Sequence, residues 1–121
     1  MDINSIKTNN TATIEIVDPL TFEPNGVKVE VYSASSKEIR KISSALRKEK
    51  LSDEDFSLAL LASCVVSWEN LTEKDKKSKD VPIPVTLENV KRVFELLPWL
   101  ASQIDSFTIK RSNFLERVED N

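Results

Sequence analysis

Phe56–Leu71 reads FSLALLASCVVSWENL, and how this stretch folds sets how many helices the chain can stack. Nearly every position up to Trp68 is apolar, relieved only by Ser57, Ser63 and Ser67. Ser52 stands ahead of it as an N-cap, followed by Asp53, Glu54 and Asp55, carboxylates suited to the positive end of a helix dipole. The reading is a helix over about 52–70. A helix apolar on all sides needs cover on all sides, from its own domain or from a partner. Cys64 is the single cysteine, so no intramolecular disulfide can form. Between Ala62 and Val65 it reads as a small buried apolar group, in keeping with a reducing compartment.

N-terminal to this stretch, two segments alternate with the period of half-buried strands. Ala12, Ile14 and Ile16 oppose Thr13, Glu15 and Val17; Val27, Val29 and Val31 oppose Lys28, Glu30 and Tyr32. DPLTFEPNG joins them, and its Asn25-Gly26 tolerates positive φ. The pair is expected to form an antiparallel hairpin over 12–32, marginal alone and in need of something to pack on. SSKEIRKISSALRKEK then opens on a Ser35-x-x-Glu38 capping box and carries an Ile39, Ile42, Ala45, Leu46 stripe, which predicts a helix over about 36–50. Lys37, Lys41 and Lys48 line its opposite face, flanked by Arg40 and Arg47. That face reads as solvated surface or as a docking patch for an acidic segment.

C-terminal to it, TEKDKKSKDVPIP, Thr72–Pro84, reads as a charged solvated loop. Thr86 caps a helix over about 86–97, with Val85 and Val90 placed for a hydrophobic staple. Pro98 suits the first turn of a further helix over 98–116. There Leu100, Ile104, Phe107 and Phe114 form a stripe interrupted by Arg111. A buried guanidinium needs a partner, and Asp105, Glu116, Glu69 and Glu88 are the candidates. Residues 1–11 are expected to be a flexible arm and 117–121 a frayed acidic tail, leaving one domain over 12–116. The fold class is α+β: an N-terminal two-stranded antiparallel hairpin packed on a bundle of about four α-helices.

The 121 residues are 40% hydrophobic and 31% charged, with a net charge of −3 and no histidine. The negative balance argues against nucleic acid as a partner, because that affinity comes largely from cations at phosphates. Without histidine, the commonest general base and metal ligand are missing. A single glycine leaves no way to write a phosphate loop or a dinucleotide fingerprint, so neither cofactor nor metal is expected. The longest apolar run, Leu58–Val66, is far short of the roughly 20 residues of a membrane span. MDINSIKTNN has no basic region leading into an apolar one, so no secretory signal is expected.

The order of signals resembles a known family. VDPLTFEPNGVKVEVYSASSKE leads into the first helix; VVSWENL, PIPVTLENVKRVFELLPWLASQI and RSNFL follow. Over roughly Ile14–Leu115 the chain resembles the tail assembly chaperones of long-tailed bacteriophages and prophages. Many relatives in that family carry Gly in the turn after the Asp-Pro pair, where this chain has Phe22. The resemblance implies a non-catalytic binding protein of the bacterial cytoplasm, left out of the mature virion. It would keep the apolar, helical tape measure protein soluble, help recruit tail tube subunits, form homo-oligomers and associate with a longer frameshift product. Such a protein needs apolar side chains at helical spacing to cover a client helix. On that reading the candidate partner-binding residues are Trp68, Trp99, Leu100, Ile104, Phe107, Arg111, Asn113 and Phe114, with core packing as the alternative for each tryptophan. For Arg111 and Asn113 the two readings are a capped helix end and a subunit interface that sets register. A small helical DNA-binding or regulatory protein is the alternative function. An enzyme built on carboxylate pairs such as Asp53 with Asp55 is weaker, since capping and solvation account for those residues.

Overall fold

The computed structural model describes residues 1–119. The chain is α+β, with four α-helices and antiparallel strands. The expected hairpin is present. Strand β2 (Thr11–Val17) pairs with β3 (Pro24–Tyr32), Ile14 opposite Val29 and Ala12 opposite Val31. Alternation buries Val27, Val29 and Val31 on one face of β3 and leaves Lys28 on the other. The joining turn is closed by the Asp18 carboxylate, which accepts the Leu20 and Thr21 amides at 2.8 and 3.1 Å. Phe22 completes this turn at φ +61°, and Gly26 sits at +87° just inside β3.

The helix expected over 52–70 stops halfway. Helix α2 covers Asp53–Ser63 and is capped by Ser52, whose Oγ accepts the Asp55 amide at 3.1 Å. Cys64 closes it, and Val65–Glu69 becomes strand β4, antiparallel to β3. The sheet therefore has three strands, ordered β2-β3-β4. Two adjacent β-branched residues and a tryptophan favour a pleated surface over a helix turn, and β3 offers a free edge. Val31 faces Val65 while Glu30 faces Ser67, so Val66 is the extra residue of a bulge. The Trp68 indole N–H donates to the Ile83 carbonyl at 2.7 Å, tying β4 to the approach to the next helix.

Other boundaries move as well. Helix α1 is Lys37–Arg47, and its cap is Ser36, whose Oγ accepts the Ile39 amide at 3.3 Å. The Ser35–Glu38 box is thus one residue out of register; Glu38 Oε1 takes the Asn10 side-chain amide instead, and Oε2 is buried without a partner. Within Thr72–Pro84, read as a loop, β5 (Thr72–Lys74) and β6 (Asp80–Pro82) form a small ribbon. Helix α3 is Leu87–Leu96, capped by Thr86 as expected, and α4 is Pro98–Ile109 with proline in its first turn. α4 ends seven residues early because Lys110 turns extended, at ψ 102°, into a 3₁₀ turn at Arg111–Phe114. The chain then forms β7 (Leu115–Arg117), which pairs with β1 (Ile6–Thr8). The N-terminal arm is therefore held in a ribbon. The acidic tail expected over 117–121 begins inside that ribbon, and its residues 120–121 lie outside the described residues.

One core joins these parts. Ile16, Val27, Val29, Val31 and Val65 of the sheet meet Ala62, Val90, Val93, Phe94, Leu100, Ile104 and Phe114. α4 lies against β2 and β3, while α2 bridges α1 and α3. Replacing Trp68 by Phe keeps the ring but strands the Ile83 carbonyl. Urea denaturation should show a loss of about 1 kcal/mol with an unchanged m-value.

Candidate partner-binding surface

The stripe along α4 is mostly core. Leu100, Ile104 and Phe114 are each at most 2% exposed, so they are not a partner surface in this fold. The sheet accounts for this: α4 lies against β2 and β3, whose apolar face absorbs the ridge. Phe107 stays half-buried, edge-on to Phe114 with ring centroids 5.7 Å apart. Asn113 donates to the Phe107 carbonyl at 3.0 Å, a second hydrogen bond to an oxygen that also accepts the Lys110 amide at the end of α4. Arg111 lies beyond that helix, exposed on the 3₁₀ turn, with no ion pair to Asp105, Glu116, Glu69 or Glu88. Trp68 and Trp99 are half-buried against the core on β4 and α4.

Two of the eight candidate residues do come together in an open groove of about 510 Å³ between β2 and α4. Ile14 and Val17 form one wall and Phe107 the other, with Asn113 at one end and Glu15 and Lys110 among its lining charges. An irregularity in pairing between Glu15 and Val17 sets up the strand side of the groove. It turns the Val17 backbone toward α4, where the Gln103 side chain clamps it: Val17 N–H donates to Oε1 at 2.9 Å, and Nε2 donates to the Val17 carbonyl at 2.8 Å. Gln103 thus stands where another strand would pair. Nothing in its sequence position singled it out; it lies on α4 between Ser102 and Ile104.

The turn that leaves Val17 carries the most exposed apolar pair outside the N-terminal residues: Leu20 at 87% and Phe22 at 80%. A phenylalanine at φ +61° is strained by roughly 1–2 kcal/mol relative to ordinary backbone. A second groove, about 300 Å³, opens between α2, β4 and α3, with Ile42, Val66, Val85 and Leu87 among its lining. The exposed face of α1 keeps its five basic side chains, as the sequence pattern indicates.

Cys64 is buried, and burial, with Asp105 adding a smaller effect, pushes its thiol up to about 11. It is therefore protonated and a weak nucleophile at neutral pH. Among the described residues no three His, Cys, Asp or Glu side chains gather as a metal site. Among the described residues no helix is long and apolar enough to cross a membrane. Comparisons with protein-family models, curated proteins and solved structures return no match.

The Gln103 clamp gives a direct test of the groove's construction. Gln103→Leu leaves both Val17 backbone groups without partners and should cost roughly 1–2 kcal/mol in urea denaturation, with faster amide exchange at Val17.

Proposed function

We propose that the chain is a phage tail assembly chaperone: a non-catalytic protein that covers apolar helices of the tape measure protein, keeps that client soluble and helps recruit tail tube subunits to it. It acts in the bacterial cytoplasm, as a homo-oligomer and alongside a longer frameshift product, and stays out of the finished virion. The reading rests on the family resemblance over Ile14–Leu115 and on one structural observation: Leu20 and Phe22 stand almost fully in water on a turn that Phe22 strains. Strain retained in an exposed side chain does not serve the core, and such outliers concentrate where a chain binds something. The groove of Ile14, Val17 and Phe107 runs up to that turn, since Val17 lines the one and Asp18 begins the other. Apolar anchors along a groove suit an amphipathic helix laid against them. The half-exposed Trp68 and Trp99 are further contacts on this reading, and so is the outer edge of β4.

The test is co-expression with the tape measure protein of the same genome, scored as the fraction of client in the supernatant. The native chain should bring it into solution. Leu20→Ser combined with Phe22→Gly should lose most of that effect while the variant itself melts no lower than the native chain, because glycine relieves the positive φ. No rescue by the native chain would overturn the chaperone reading. Full rescue by the variant would move the binding surface elsewhere.

A further inference from the structure

The Arg111 guanidinium that interrupts the α4 pattern faces a cleft of about 570 Å³, separate from the apolar groove. The 3₁₀ turn supplies Arg111 from one side and α1 supplies Arg40 from the other. Ser33 and Ser35, ahead of α1, add two hydroxyls 3.0 Å apart, and Thr8 of β1 adds a third. Leu115, 45% exposed at the start of β7, forms an apolar wall. Among the described residues neither arginine forms an ion pair. On the same elements, Glu38 Oε1 accepts from Asn10 at 3.5 Å and Glu116 from Asn9 at 3.3 Å, and neither forms an ion pair with Arg40 or Arg111. A chain with net charge −3 has carboxylates to spare, yet among the described residues these two arginines line a cleft with three hydroxyl-bearing side chains and no ion pair.

We propose that this cleft binds an acidic segment of a partner protein, two of its carboxylates meeting Arg40 and Arg111 while a neighbouring apolar side chain rests on Leu115. The guanidinium fork matches a carboxylate with two parallel hydrogen bonds, and the Thr8 hydroxyl and whichever of Ser33 and Ser35 is not donating to the other can donate to the remaining oxygen lone pairs. Two cations with an apolar wall fit a peptide better than a nucleic acid strand, which needs a longer run of positive charge and stacking surfaces. The proposal is independent of the apolar groove and of what occupies it.

The probe is a fluorescein-labelled peptide carrying the run Asp-Glu-Leu-Glu, followed by anisotropy at low salt, with a matched Asn-Gln-Leu-Gln peptide as reference. Arg40→Gln and Arg111→Gln are both surface changes, and each should weaken the acidic peptide roughly tenfold. Lys77→Gln, on the distant β5–β6 turn, removes the same charge and should alter affinity less than twofold. The amide peptide should bind at least tenfold more weakly than the acidic one. Equal effects of Lys77→Gln and the arginine changes, or equal binding of both peptides, would overturn the proposal. So would displacement of the peptide by inorganic phosphate at lower concentration than by free glutamate, which would assign the cleft to phosphate. Concentration-dependent self-association abolished by the arginine changes, without peptide binding, would assign it to a second copy instead.

Discussion

Val27, Val29 and Val31 on one face of β3 are the constraint that the other elements answer to. Each is at most 8% exposed, and burying a valine is worth about 1.5–2 kcal/mol, so three are comparable to the whole net stability of a small domain. Their alternation with Lys28 and Glu30 fixes which face turns inward, since a slip of one residue would put the valines in water. β2 pairs on one side and β4 on the other, and the buried residues of α3 and α4 share one core with this sheet.

The sheet sets the distribution of apolar surface. The β2–β3 side lies against α4 and encloses the Leu100–Ile104–Phe114 ridge, while β4 extends the sheet on the other side of β3. What remains outside is different in kind: a strained turn carrying Leu20 and Phe22, a shallow groove against Phe107, and partly exposed Val66 and Leu87 near β4. The exposed apolar side chains are thus spread along edges and turns rather than along one helix. That arrangement fits a protein that covers a long client with several small contacts, as the chaperone reading requires.

Strong local signals were legible in the sequence. Strict alternation located β2 and β3, and Ser52, Thr86 and Pro98 marked helix starts because capping chemistry is local. β4 was not found because a continuous apolar run has no period, and helix and strand look alike within it. The signal that could have separated them was Val65-Val66 followed by alternation of Ser67 and Glu69 with Trp68. β1 and β7 are three residues each, too short to alternate, and their pairing links Ile6 to Arg117 across nearly the whole chain. Arg111 posed a difficulty only while the helix was extended past Ile109; with α4 ended, a guanidinium on a surface turn is ordinary. Of the site, Phe107 was visible from helical spacing and Asn113 only beside Arg111, whereas Gln103 acquires its role from a contact distant in sequence and Phe22 from a local turn with positive φ.

With the α4 ridge buried under the sheet, the proposed chaperone would meet its client at the β2–α4 groove and the adjoining turn. Amide chemical-shift mapping with an amphipathic helical peptide from the tape measure protein distinguishes that surface from the ridge. Shifts concentrated at Ile14–Phe22 and Phe107–Asn113, with Leu100 and Ile104 unmoved, are the predicted result. Shifts centred on Leu100, Ile104 and Phe114, accompanied by loss of the β3–β4 pairing, would contradict it.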